Sequence, residues 1–359
     1  VTRRADQLLA GFAGDDAISQ DALLMQAAFR ELGWESDVFV PRAFTDAAAA
    51  RRVRPLEDYA GSPGDVAVLH DVLEPSVAAA FRATPAKRVL RYHNITPASF
   101  FAALDGAMAE RLHGAREALG RVAALADAAW PVSAYNAAEL APWAAAKSQV
   151  LPLLFDEARF RTAPDPAVAA RYAGPLKTIL FVGRLVPNKC IEELVFAFQA
   201  YHRGVNPRSR LVIAGSERSC PRYAALLRLL AKALDLPNVC FEGFVSPAGL
   251  AALYARADLF ATLSRHEGYC LPLVEAMANN VPVLARHAGG MPEALGEAGL
   301  QVDDLSPAVL GELMGEALHN PAVRAEMLRS QADRMAVIRA RKPAEEIRRL
   351  LDELSAIRS

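Results

Sequence analysis

Cysteine is scarce in this chain of 359 residues, with four, at positions 190, 220, 240 and 270, and no CxxC pair. That spacing fits neither a zinc site nor a disulfide framework, so reduced thiols in a cytoplasmic protein are expected. No run approaches the roughly 18 apolar residues that a membrane span needs. The first residues, VTRRADQLLAGFAGDD, lack the apolar stretch and small-residue cleavage site of a signal peptide. An excess of positive charge is missing too. Forty Lys and Arg stand against 41 Asp and Glu, a net charge of -1, which argues against a nucleic-acid partner. There is no GxxxxGK[ST] loop for ATP or GTP, and no GxGxxG opens the first strand–helix turn. Asp-x-Asp, the metal–diphosphate clamp, is absent, so neither a metal nor a cofactor is expected.

What is present is an alternation of short apolar runs with alanine-rich helical stretches, the pattern of parallel sheets covered by helices. It predicts strands at 7–12, 36–40, 65–70, 87–93, 128–133 and 149–153, with helices at 19–32, 75–83, 98–126 and 134–140. The Ala-rich stretch 43–50 reads as helix or loop. A second series follows, with strands at 178–183, 210–215, 239–243, 258–263 and 282–286 and helices at 190–203, 221–234, 246–255 and 272–279. From about 306 the chain reads as helix to its end. The expected architecture is α/β with two doubly wound, Rossmann-like domains, 1–155 and 176–339, joined by a linker at 156–175. A last helix near 340–359 is free to pack back on the first domain. Open sheets of this kind bind ligands at the carboxyl ends of their strands.

The most informative string is SRHEGYCLPLVEAMANNVPV, residues 264–283. Pro272 suits the first position of a helix, which would put Glu275 in the first turn and Glu267 in the loop before it. Backbone N–H groups near Cys270 and Leu271 would then form an anion site aided by the helix dipole. Flanking carboxylates accept hydrogen bonds from sugar or ribose hydroxyls. Either glutamate alone reads as an ordinary helix-start or solvated loop residue; the whole string at a strand end reads as function. A second string, FVGRLVPNKCIEEL (181–194), places Arg184 and Lys189 between a strand and a helix. Two cations there can neutralise a diphosphate without a metal.

These strings resemble the retaining GT-B-fold glycosyltransferases of the large Glu-x7-Glu family, family 4, which includes bacterial mannosyl- and glucosyltransferases of polysaccharide assembly. The resemblance runs through GRLVPNK (183–189), LVIAGS (211–216), FEGFVSPAGLAALYARADLFATLS (241–264), HEGYCLPLVEAM (266–277) and GGMPEALG (289–296). It is weaker but ordered at DVAVLHD (65–71), RYHNITPASFF (91–101), VSAYNAAEL (132–140) and FDEARF (155–160). It implies two domains facing each other across a cleft, the second binding a nucleotide-sugar donor and the first a glycan or lipid-linked acceptor. Arg184 and Lys189 would hold the diphosphate, Glu275 the ribose and Glu267 the transferred sugar. Gly268, Tyr269, Cys270 and Leu271 would offer backbone amides, while Gly215, Phe244 and Val245 would seat the base. His93 would face the reacting sugar from the acceptor side, and His70 reads as a histidine capping a strand. Gly11, Gly14 and Asp16 fall in the loop that the family places near donor and acceptor.

The implied reaction is transfer of a hexose with retention, mannose from GDP-mannose by the look of the YHNITP string. A sugar-nucleotide epimerase of the same architecture, or a non-catalytic two-domain sugar-binding protein, are the alternatives. Two departures stand out: the commonest family pattern has Gly where this chain has Cys190 and Cys270. Arginine clusters at 51–54 and 82–91, near Phe100 and Phe101, could touch the inner membrane surface, or could equally be solvated helix ends.

Overall fold

The computed structural model describes residues 3–13, 16–45, 49–70, 72–158 and 162–356. The chain forms two compact units: Val1–Ala98 with Ala107–Phe155 and Arg341–Ser359, and Ser99–Gly106 with Asp156–Ala340.

In the first unit six parallel strands, β1 (Ala5–Leu8), β2 (Val38–Val40), β3 (Arg54–Pro55), β4 (Val66–Leu69), β5 (Lys87–Leu90) and β6 (Ala128–Ala129), run in the order β3-β2-β1-β4-β5-β6. Between them lie α1 (Ala17–Glu31), α2 (Pro75–Ala83), α3 (Gly106–Leu125) and α4 (Ala134–Ala144). Of the interior strands, β2 and β4 are apolar and buried throughout, as a sheet covered by helices requires, while β1 carries buried polar residues and β5 opens with the half-buried Lys87 and Arg88. Helix α1 starts where Asp16 accepts the Ser19 N–H at 2.9 Å.

The second unit opens with α5 (Pro166–Arg171). Its sheet is built from β7 (Lys177–Val182), β8 (Ser209–Ala214), β9 (Val239–Gly243), β10 (Leu259–Thr262), β11 (Val283–Arg286) and β12 (Leu300–Val302). Interleaved are α6 (Ile191–Gly204), α7 (Pro221–Ala233), α8 (Pro247–Arg256), α9 (Leu271–Ala278) and α10 (Met291–Leu295), followed by α11 (Pro307–His319) and α12 (Pro321–Arg339). The parallel order β12-β11-β10-β7-β8-β9 repeats that of the first sheet. The chain then returns: α13 (Pro343–Ala356) belongs to the first unit. Ala344, Ile347, Leu350, Leu351 and Leu354 recur at helical spacing and join Met25, Phe29, Val66, Val68 and Val89 in one core. Full burial of a large side chain of that kind is worth about 1.5–3 kcal/mol, so the last helix is part of the first unit's stability.

Several expectations are corrected. The first strand is Ala5–Leu8, earlier than 7–12. Residues 149–153 form no strand: Gln149 and Leu151 N–H groups donate to the Ala129 and Pro131 carbonyls at 2.9 and 3.0 Å, but Pro131, between them, has no N–H to donate back. The helix expected over 98–126 begins only at Gly106, after a separate short turn at Ala98–Phe100. The linker stretch 156–175 contains the short helix α5, which Asp165 caps by accepting the Ala167 N–H at 2.8 Å. The Ala-rich stretch 43–50 holds short turns at Arg42–Phe44 and Ala49–Arg51, and residues 46–48 lie outside the described residues.

In each sheet the order reverses between one pair of neighbours, β1 and β4 in the first and β7 and β10 in the second. Ligand sites of doubly wound sheets lie outside the carboxyl ends of strands at such a point.

Candidate active site

The loops after β7 and β10 meet at the second sheet's reversal point. After β7 the chain passes Gly183 and Arg184, makes a short turn at Pro187–Lys189, and enters α6 through Cys190. After β10 it passes His266 and Glu267 and enters α9 through Cys270. The Asn188 amide donates to the His266 carbonyl at 2.9 Å, and the Arg265 N–H to the Asn188 carbonyl at 2.9 Å. These links bring the Lys189 ammonium onto the Glu267 carboxylate as an ion pair with side chains 15% and 10% exposed. Arg184 is exposed, and among the described residues no side chain pairs with it.

Both helix entries are left-handed: Cys190 has φ 47° and ψ 45°, Cys270 φ 71° and ψ 71°. These are the two positions where glycine is the commoner family residue, and a residue with a Cβ there is strained. Burial pushes the Cys190 thiol up to about 11, with Glu192 and Glu193 adding to it. Burial, then Glu267, pushes the Cys270 thiol well above the usual cysteine range. Neither is an activated nucleophile.

Helix α9 starts at Leu271, with Pro272 second and Glu275 beyond the first turn, correcting the expected register. Glu275 is buried and its carboxylate accepts the Tyr254 hydroxyl of α8 at 2.9 Å. Gly268 is half-buried, while Tyr269, Cys270 and Leu271 are buried. Gly215 lies against Gly183: a Cβ on Gly215 would sit 1.8 Å from the Gly183 carbonyl oxygen, so only glycine lets β7 and β8 end this close together. Phe244 is 65% exposed and Val245 half-buried, both just beyond β9.

Sequence reasoning missed the supports. The Gly290 N–H donates to the Glu267 carbonyl at 2.8 Å, and a Cβ on Gly289 would lie 2.4 Å from that same oxygen. The GGMPEALG string was visible, but not that its glycines admit the Glu267 backbone. Tyr254 and Asn188 were equally visible and carried no signal of their own.

In the first unit His93 follows β5 and meets residues from two other places in the sequence. Its Nε2 lies 3.0 Å from His70 Nδ1 and 3.7 Å from Asp21 Oδ2. Asp21 is fully buried and accepts two hydrogen bonds from Arg91, at 2.8 and 3.0 Å, and the Leu154 N–H at 2.9 Å. Burial raises its carboxyl and Arg91 more than reverses that, leaving it at about 2. Burial and Arg91 push His93 down to about 3, against the pull of Asp21. Asp16 spends its carboxylate on α1, accepting both the N–H and the hydroxyl of Ser19. Gly14 lies outside the described residues.

Among the described residues, Asp21, His70 and His93 have ligand atoms within 4.8 Å of one another, as do Cys190, Glu192 and Glu193. The first trio is already saturated, Asp21 by Arg91 and His70 by His93, and so is no open ligand set. In the second, burial and the two glutamates raise the Cys190 thiol, so a metal there would have to displace its proton.

Residues 171–335 match the family model described as glycosyl transferases group 1. That stretch contains Arg184, Lys189, Gly215, Phe244, Val245, Gly268 and both glutamates, but neither His93 nor Asp16. A GDP-mannose-dependent alpha-(1-6)-phosphatidylinositol monomannoside mannosyltransferase of Mycobacterium tuberculosis is 34% identical over 221 residues, 57% of this chain and 56% of that protein. A D-inositol 3-phosphate glycosyltransferase of Acidothermus cellulolyticus is 34% identical over 191 residues, 50% and 42% of the two chains. The matched stretch thus spans about half the length of these relatives. Two solved structures share the fold over 99% of this chain and 100% of theirs. Sucrose-phosphate synthase from Thermosynechococcus elongatus matches with TM-score 0.75 at 19% identity. Anabaena HepE in complex with UDP and glucose matches with TM-score 0.76 at 18% identity. The architecture is α/β, two Rossmann-like domains of the GT-B class, as the sequence led one to expect.

Proposed function

We propose, from the match of residues 171–335 to the glycosyl transferases group 1 family, that the chain is a retaining, metal-independent glycosyltransferase. It moves a hexose from a nucleotide-diphosphate sugar to a hydroxyl of a glycan or lipid-linked acceptor. The observation that carries this reading is the Lys189–Glu267 pair at the reversal point of the second sheet, with the unpaired Arg184 on the same loop. A cation that a diphosphate can claim lies next to a carboxylate suited to sugar hydroxyls.

In this reading Arg184 and Lys189 balance the charge that grows on the leaving diphosphate. Amides of Gly268 to Leu271 assist at the start of α9. Glu275, aimed by Tyr254, takes the ribose hydroxyls. Gly215, Phe244 and Val245 seat the base. In the first unit His93 meets a sugar hydroxyl. The acceptor oxygen bonds to the anomeric carbon as the bond to the phosphate oxygen breaks, and the acceptor's proton passes to the departing phosphate. The mannosyl names of the relatives support GDP-mannose as donor.

The test offers GDP-mannose and UDP-glucose in turn, with and without a phosphoinositide or mannoside acceptor, and follows release of nucleoside diphosphate. Release that requires acceptor, with product keeping the donor's anomeric configuration, supports the reading. A change in the donor sugar without acceptor would mean an epimerase; binding with no turnover under any pairing would mean a sugar-binding protein.

A further inference from the structure

Gln7 is out of place by the rules that shape the rest of the first sheet. It sits in β1, one of the two strands at the reversal point, and is wholly buried where its neighbour Leu8 and the facing β4 are apolar. A buried amide is costly unless its polar atoms are satisfied, and here both the nitrogen and the oxygen have a partner. The Ala22 carbonyl of α1 can only accept, and it lies 2.8 Å from Gln7 Nε2. That sets the amide's orientation and turns Oε1 toward His70 Nε2, 2.9 Å away. Oε1 can only accept, so His70 carries its proton on Nε2 and donates it.

The next link follows in the same way. His70 is 2% exposed, and burial pushes it well below the ordinary histidine range, so it is neutral and its Nδ1 is bare. A bare nitrogen needs a donor, and the atom facing it at 3.0 Å is His93 Nε2. The rings are nearly coplanar, at 21°, as an in-plane hydrogen bond requires. The Asp21 carboxylate, 3.7 Å from that same His93 nitrogen, also favours a proton there, while Arg91 balances the carboxylate's charge. What remains is His93 Nδ1. It has no hydrogen-bond partner among the described residues, on a side chain only 7% exposed.

We infer that Gln7 and His70 are positioning residues that lock the proton of His93 on Nε2, so that Nδ1 is presented to a ligand as a hydrogen-bond acceptor. The ligand group that meets His93 is therefore a donor, a hydroxyl, and not a phosphate or carboxylate oxygen. Fixing one ring nitrogen through the partner of the other is how a histidine's tautomer is set. The functional half of this inference rests on the glycosyltransferase reading; the proton's position does not.

The test is nitrogen NMR on the full chain labelled with 15N-histidine, near pH 7 and without ligand, assigned with a His93→Gln variant. The expected spectrum gives His93 one protonated nitrogen, Nε2, and one bare nitrogen, Nδ1, with His70 in the same tautomer. A His93 protonated on Nδ1, or on both nitrogens, overturns the inference. His70→Leu should release the lock, mixing the His93 tautomers and lowering transfer about tenfold, the weight of one hydrogen bond, with nucleoside diphosphate affinity unchanged. His70→Gln, whose amide can donate to Gln7 and accept from His93, should restore both tautomer and transfer. If His70→Leu does not fold, Gln7→Met, which leaves both rings in place, makes the same measurement. An unchanged His93 tautomer in the folded variant overturns the inference. If the expected tautomer is found but the wild type transfers no sugar, the glycosyltransferase reading falls and the lock stands. If the wild type transfers sugar with the opposite tautomer, the lock falls and the glycosyltransferase reading stands.

Discussion

Lys189 and Glu267, 78 residues apart, close an ion pair at the carboxyl edge of the second sheet. The sequence presents them as separate groups, one for phosphate and one for sugar, yet each is the other's partner. A diphosphate that takes Lys189 must compete with that carboxylate. Glu267→Gln keeps the shape and removes the competing charge. It should tighten nucleoside diphosphate binding about fivefold, close to 1 kcal/mol for a partly exposed pair, while lowering sugar transfer. Titration calorimetry on both proteins measures this; weaker binding by the variant would mean that Glu267 supports the phosphate site.

The two left-handed cysteines yield a second prediction. Placing a Cβ at φ 47° or φ 71° costs about 1–2 kcal/mol, and glycine removes that cost but adds about 0.5–1 kcal/mol of chain entropy. Cys190→Gly and Cys270→Gly should therefore leave the melting temperature unchanged or slightly higher. Cys270→Val, β-branched in the same conformation, should lower stability by about 1–3 kcal/mol. Both thiols should also resist alkylation in the native protein at neutral pH, because burial keeps them protonated. Rapid labelling of either at neutral pH would overturn that placement.

Much of the fold was legible because interior strands of a parallel sheet are continuous apolar runs, and TILFV and RLVIA could be read as nothing else. Where a strand is two residues long, as at Arg54–Pro55, no periodicity exists to be read. The run at 149–153 misled because its apolar composition fits a strand while its neighbour Pro131 lacks the N–H that a ladder needs. The strings around Lys189 and Glu267 could be placed on loops, but their contact depends on Asn188 gripping the His266 carbonyl, which no spacing announces. Gln7, Asp21 and His70 left even less trace: single polar residues in separate elements that only the folded sheet brings together.

A third prediction concerns pH. Burial lowers His93 to about 3 and His70 well below 6.5 in the folded chain, whereas unfolded histidines bind protons near 6.5. As pH falls from about 6.5 toward 3, the unfolded chain binds more protons than the folded one. Stability should therefore be fullest above that window and fall through it, at up to about 1.4 kcal/mol per pH unit for each histidine. Asp21, held near 2 by Arg91 in spite of burial, extends the loss below its usual 3.8. Denaturant midpoints across the window should show a shallower slope for His70→Gln than for wild type. Equal slopes would mean that His70 is not buried neutral.

The last prediction separates Arg184 from every structural role. Most arginines of this chain that sit near functional strings are occupied: Arg265 and Arg286 pair with Glu193 and Asp304, and Arg91 with Asp21. Arg184 is exposed at the end of β7 and engages no side chain among the described residues, so its removal should cost the fold almost nothing. A preorganised cation aimed at a leaving diphosphate is worth far more to turnover, roughly 100- to 1000-fold. Arg184→Ala should thus keep the wild-type melting temperature and lose transfer, while Arg184→Lys recovers only part, because a point charge cannot reproduce a planar fork. Transfer by the wild type should survive thorough chelation with EDTA, since the cations are side chains. If chelation abolishes transfer, magnesium or manganese restores it, and Arg184→Ala stays near wild type, then the diphosphate is balanced by a metal and the assignment of Arg184 and Lys189 fails together.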